Sequence, residues 1–323
     1  VFEVTASSVT IGGEDCGFSI YGATGEGQAG ILLNEVNGCT IQDNRCGWDD
    51  SNKNLYGILL FTSSDNIISG NTVSSNTQGI SMALSESNTI SYNTCTSNEG
   101  SGIYLASSNN NKLMSNITNS NITGIFLEVS SNNNTLISNT ANSNLNHGIY
   151  LNGSSNNALI DNTTNSNGTD GIWLYTSSNC NMLTNNTANF NTHYGIYLDH
   201  SDINTLTGST ANSNNDYGIY LSFSNNNVIY LNNFSNTNNV YSQASTNTWH
   251  SPTPLFYHYT GDAYHKNSLG NYYSDYDTTG KDSDRDGIGN IAYDKNGMTD
   301  SSPLVATSDH YSLQAWWLSG DSQ

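Results

Sequence analysis

The chain has 323 residues, of which 35% are hydrophobic and 11% charged, and it carries a net charge of −20 with only seven Lys plus Arg. So few cations exclude a nucleic-acid partner, which needs Lys and Arg to replace counterions, and they exclude docking on anionic lipid. No apolar run is long enough for a membrane span, so no membrane insertion is expected of this chain.

The first residues, Val1 to Ile20, already read as a partial structural unit, with Ile11 equivalent to Ile41. From Gly30 onward the dipeptide Gly-Ile recurs at Gly57, Gly79, Gly102, Gly124, Gly148, Gly171, Gly195 and Gly218. After a first gap of 27 residues the spacings stay between 22 and 24. A period that regular means stacked units, each burying its apolar face against the next. Within a unit the apolar residues alternate over short stretches, as in Ile125 and Leu127, which is strand periodicity. Twenty tyrosines and three prolines agree with β structure.

Three short strands per turn of roughly 23 residues, each over its counterpart in the next turn, predict an all-β, single-stranded parallel β-helix of about ten turns with strands about 4.8 Å apart. One inward column runs through Ile103, Ile125, Ile149 and Ile172, a second through Leu105, Leu127, Leu151 and Leu174, and a third through Leu113, Leu136, Leu159 and Leu183. Two asparagine columns mark the bends, Asn116–Asn139–Asn162–Asn186 and Asn121–Asn144–Asn167–Asn191. Asparagine tolerates left-handed backbone and bonds nearby main chain, and stacked amides can also bond rung to rung. Cys16 and Cys46 fall in a small-residue column on adjacent turns, within reach of a disulfide or equally a pair of buried thiols.

The outward position of Gly-Ile-x-Leu is Tyr104, Phe126, Tyr150, Trp173, Tyr197 and Tyr220 over six consecutive turns. A solvent-facing strand position should be polar, so this stripe predicts a partner surface, either a sugar chain or another subunit, or else a cover from the C-terminal region. Glycosidase chemistry needs two carboxylates beside one bond. Glu128 and Asp199 follow the stripe but lie three turns apart, and no catalytic residue is assigned. Lys112 is the only cation between residues 54 and 265, which disfavours a lyase acting on acidic polysaccharide. Sequons at Asn116, Asn121, Asn133, Asn152, Asn162, Asn167, Asn185 and Asn233 are candidate glycosylation sites on an extracellular, cell-surface protein.

The register is lost after His250, where Pro252 and Pro254 fall. This predicts a solenoid over 1–250 and a capping region over 251–323, since a solenoid end exposes strand edges that need cover. The segment Asp282-Ser283-Asp284-Arg285-Asp286-Gly287-Ile288 has the spacing of a calcium loop. Asp282, Asp284, Asp286 and the Ile288 carbonyl are the expected ligands of a structural Ca2+, with Asn290 or Asp294 completing the shell.

The repeat over 30–250, with Gly270-Asn271-Tyr272-Tyr273-Ser274-Asp275-Tyr276 and Asp284-Arg285-Asp286-Gly287-Ile288-Gly289-Asn290, resembles the NosD-like, carbohydrate-binding and sugar-hydrolase class. That resemblance implies a right-handed β-helix and a likeness to methanogen (archaeal) envelope proteins. It covers enzymes, binding modules and envelope proteins alike. The uncapped first unit and the stripe favour a non-enzymatic subunit of a surface layer, sheath or fibre, self-assembling as a homo-oligomer or filament. The alternative is a carbohydrate-binding or polysaccharide-cleaving module. The family name suggests copper, but no Cys or Met cluster accompanies it.

Overall fold

The computed structural model describes residues 2–13, 17–23, 28–47, 53–260, 264–279 and 281–314. Two long parallel sheets run the length of a β-solenoid. One has eleven strands, from Phe2–Val4 to Val240–Gln243, and the other ten, from Thr10–Ile11 to Val228–Tyr230. The third side is strand at both ends and single bridges in the middle, where Ile117, Thr140, Thr163 and Thr187 pair in succession. Ile125 lies beside Ile149 and Ile149 beside Ile172, and the Leu113–Leu136–Leu159–Leu183 column is likewise in register. All of these side chains are fully buried.

The glycine of each Gly-Ile is a requirement of close approach. A Cβ at Gly171 would lie 2.6 Å from the Gly195 carbonyl oxygen and 2.8 Å from the Ala188 Cβ. Backbone of the next rung cannot move aside without breaking its own ladder. Gly171→Ala is therefore expected to cost about 3 kcal/mol by overpacking, read as a lowered urea midpoint. The abutting column is small for the same reason, and Cys46 and Cys95 belong to it with Ala141 and Ala188. Burial pushes the Cys46 thiol up to about 12. Cys16, its expected partner, lies outside the described residues.

The asparagine columns act differently from the expectation of left-handed bends. The residue before each ladder asparagine takes the positive φ, as at Ser115, Ser138 and Asp161. The asparagines themselves are buried and bonded along the axis. The Asn139 backbone N–H donates to Asn162 Oδ1 at 3.0 Å, and its Nδ2 donates to Asn162 Oδ1 and the Leu113 carbonyl, both at 3.0 Å. A third ladder, Asn88–Asn111–Asn134–Asn157–Asn181, fills the remaining bend. Its signal was the Ser-x-x-Asn recurring once per turn, as in Ser131 to Asn134.

Along each ladder the asparagine backbone N–H donates to the side-chain oxygen of the next rung toward the C-terminus, while the Nδ2 group also reaches back to a carbonyl of the preceding rung. Two of the ladders finish at the C-terminal end on a carboxylate. Asn271 N–H donates to Asp300 Oδ2 at 2.8 Å, and Asn239 Nδ2 donates to Asp275 Oδ1 at 2.5 Å.

The C-terminal residues close this end. Tyr273 stacks between Phe234 and Tyr293, sealing the hollow core. Tyr272–Tyr273 also adds the last strand of the third side, so the solenoid takes a strand from beyond residue 250. Leu255–Tyr259 forms an antiparallel sheet with Tyr264–Asn267 and Tyr311–Leu313 over Leu231, Leu269 and Leu304.

Candidate functional site

The outward face of the eleven-stranded sheet carries the aromatic stripe, because alternation turns every second side chain of Gly-Ile-x-Leu away from the core. Tyr104, Phe126, Tyr150, Trp173, Tyr197 and Tyr220 lie in one register, and Tyr241 extends it by a rung. Tyr241 escapes the Gly-Ile search because its turn reads Asn239-Val240. Among the described residues, the ring contacts of the stripe are to one another and to neighbours on the same face, not to the C-terminal region.

The rings do not lie flat on the sheet. Phe126 and Tyr150 stack at 4.6 Å and 10°, Tyr150 and Trp173 at 4.6 Å and 12°, Trp173 and Tyr197 at 5.6 Å and 1°. Rings parallel at the rung spacing use their faces on one another and show solvent their edges. In the middle of the stripe the ring faces are thus occupied by one another. The stack ends where Tyr104 tilts by 53° from Phe126 and where Tyr197 and Tyr220 meet at 82°. Next to the first break is an open groove of about 470 Å³, lined by Tyr56, Gln78, Tyr104, Phe126 and Glu128. The Tyr104 hydroxyl donates to the Glu128 carboxylate. One rung earlier, the Ser81 hydroxyl is buried without a partner.

Burial, followed by the Glu128 hydrogen bond and charge, pushes the Tyr104 hydroxyl well above its usual range. Burial, then the charges of Tyr175 and Glu128, pushes Tyr150 up to about 12. These phenols remain protonated donors at any physiological pH. Trp173 keeps a buried indole N–H without a partner inside the stack.

Beside the stack lies a pair that sequence reading missed. His147 Nδ1 is 3.2 Å from Asp170 Oδ2 and 2.7 Å from Thr169 Oγ1, and its ring packs 4.8 Å from Trp173. Both residues directly precede the repeat glycine in successive turns, so the register did contain the signal. Glu128 and Asp199 share an outward column with Asn152 and Tyr175 between them. Three rungs, roughly 14 Å at the ordinary strand spacing, keep them from acting on one glycosidic bond.

Asp282, Asp284 and Asp286 come together, with one oxygen of each within 4.8 Å of the others. Burial, then the charges of Asp284 and Asp282, pushes Asp286 up despite the Ile288 N–H it accepts. Asn290 joins this loop as a donor to Asp284. Asp294 does not; it sits on the adjacent hairpin and accepts from Thr299.

Of the sequons, Asn116, Asn121, Asn162 and Asn167 carry their amides in the buried ladders, where a glycan has no room. Asn133 and Asn185 are exposed, and Asn152 and Asn233 are half-buried. No helix is long and apolar enough to cross a membrane among the described residues.

Residues 117–278 match the family described as periplasmic copper-binding protein (NosD), and residues 11–164 match the right handed beta helix region. Among solved structures, the periplasmic alginate epimerase AlgG is similar at 19% identity and a TM-score of 0.53, over 76% of this chain and 60% of that one. A double mutant of that enzyme gives 20% identity and 0.58, over 71% and 58%. The Dettilon tailspike protein gives 15% and 0.52, over 76% and 51%. The chain thus spans between half and three fifths of the length of these proteins, and at such identities the likeness is one of fold. No curated protein sequence matches.

Copper calls for thiolate, thioether or imidazole donors. Among the described residues, the one grouping of three or more His, Cys, Asp or Glu is the all-oxygen set of Asp282, Asp284 and Asp286. Cys39, Cys46 and Cys95 are buried, and His147 and His200 each face a carboxylate. These residues do not fit a copper site. By its repeat, its solenoid and the family model that covers half its length, the chain belongs to the NosD family of right-handed parallel β-helix proteins.

Proposed function

We propose that this protein is a polysaccharide-binding β-helix module of the periplasm or cell surface, which lays an extended glycan along the outward face of its long sheet. The observation that carries this reading is the run of seven aromatic rungs in register, uncovered by the described chain. The rung repeat is close to the length of one sugar residue in an extended chain, so one ring edge meets each sugar. The groove beside Tyr104 and Phe126 is the primary subsite, because there a sugar finds an aromatic face together with the Glu128 carboxylate and the Gln78 amide. The wide separation of Glu128 and Asp199 supports binding rather than cleavage. The similar structures named above are not layer or sheath proteins, and the surface-layer reading gains no support from them.

The test is affinity electrophoresis of the protein through gels containing neutral, basic or acidic polysaccharides. At least one polymer is expected to retard the protein, and Phe126→Ala to weaken that binding about tenfold, which is about 1.4 kcal/mol. Unretarded migration in every polymer, or a Phe126→Ala variant that binds like the parent, would overturn the reading.

A further inference from the structure

We infer that the groove at the head of the aromatic stack selects a sugar carrying a protonated amine. This inference rests on the polysaccharide-binding reading and names the class of sugar. Three aromatic residues, Tyr56, Tyr104 and Phe126, line the groove together with the Glu128 carboxylate. Aromatic walls around one carboxylate form a cation cage, because ring faces and a carboxylate both attract an ammonium group. Glu128 is held at the groove by the Tyr104 hydroxyl, a neutral donor that leaves its negative charge uncompensated. The nearby cation, Lys53, is paired with Glu99.

The rest of the face has the same sign. Asp170 and Asp199 flank the stack further along, each beside a histidine (His147 and His200), so of these three carboxylates Glu128 is the one without an imidazole partner among the described residues. Lys112 is on the ten-stranded sheet. The strands of the long sheet contain no Lys or Arg among the described residues. A polyanion such as alginate meets repulsion along this surface, whereas a chain of amino sugars meets a matching charge. Gln78 adds specificity for a sugar over a simple amine. Its Oε1 accepts the Ser101 N–H at 2.7 Å, which fixes the side chain at the groove, where its amide can donate to a ring hydroxyl.

The experiment is calorimetric titration, at mildly acidic pH, with chitin oligomers, their deacetylated counterparts, cello-oligosaccharides and lysine amide. The deacetylated oligomer is expected to bind at least tenfold more tightly than the acetylated one. Added salt is expected to shrink that gap, and Glu128→Gln to abolish it while leaving the circular dichroism unchanged. Equal or tighter binding of the acetylated or neutral oligomer would overturn the amine assignment and leave polysaccharide binding standing. Lysine amide binding as tightly as the amino sugar would overturn the sugar part of the assignment. Absence of binding to any oligosaccharide, with no polymer retarding the protein in gels, would remove both readings. If Glu128→Gln unfolds, Glu128→Asp replaces it; this change keeps the charge but draws it back from the cage, and unchanged selectivity there overturns the proposal.

Discussion

Asn139→Ala is expected to lower stability by about 4 kcal/mol, although it removes only a small polar side chain. The amide sits mid-ladder and serves four partners at once. Its oxygen accepts the Asn116 backbone N–H and the Asn116 Nδ2, both at 3.0 Å, while its Nδ2 donates to Asn162 and to the Leu113 carbonyl. Truncation leaves buried donors and acceptors on both sides, and each such orphan carries its desolvation penalty. The neighbouring rungs are then expected to open first, seen as faster amide exchange at Asn116 and Leu113 than in distant turns. Asn139→Ser should be milder. In this ladder Ser209 already stands in for an asparagine and accepts the Asn186 N–H at 3.1 Å. Asn133→Ala, on the exposed turn of the same rung, should change stability by less than about 0.5 kcal/mol. Equal effects at Asn139 and Asn133 would refute the ladder as a source of stability.

Asp300→Asn is expected to stabilise the C-terminal end at neutral pH and to flatten its pH dependence. Burial pushes the Asp300 carboxyl up to about 6, against the opposing hydrogen bonds from the Ser302 and Asn271 N–H groups, the Asn271 amide and the Tyr273 hydroxyl. A carboxyl raised in the folded state binds its proton more tightly there than in the unfolded chain. Its contribution is therefore fully present below the unfolded value of about 4 and is lost as pH rises through about 6, an effect of about 3 kcal/mol. Asparagine keeps the acceptor oxygen that ends the ladder and brings no charge; it gives up the second oxygen, which accepts only the Ser302 N–H, a smaller loss than the buried charge. Asp275 has the opposite sign. Burial raises it, but hydrogen bonds from Lys295, Asn239 and Tyr293 outweigh burial and hold it below the usual carboxylate range. Its stabilisation is present above about 4 and lost as pH falls further. Urea midpoints of parent and variant between pH 4 and 7 should diverge only as pH rises; parallel curves would refute the assignment to Asp300.

Both carboxylates show where sequence reading stopped. Asp275 lies in the segment read as a family signature, and Asp300 belongs to a hairpin that no repeat announces. Nothing local says that each ends a ladder begun more than two hundred residues earlier. The opposite holds for Ile125, Ile149 and Ile172, whose stacking follows from spacing alone because every turn repeats one geometry. His147 and Asp170 fall between these cases. Their shared place before the repeat glycine was legible, but their closeness depends on how two turn residues point.

The period of the sequence by itself determined the solenoid, its inward aliphatic columns and the outward place of the aromatic stripe, since a strand's alternation assigns each side chain a face. Only the tertiary structure decided that the stacked rings turn their edges outward and open a groove at Tyr104, that four sequons are sealed in the ladders, and that Asp294 stands apart from the acidic loop. The reason is physical. Register selects the face of a sheet, whereas ring tilt, amide partners and loop closure depend on rotamers and on contacts between turns, which a periodic pattern does not encode.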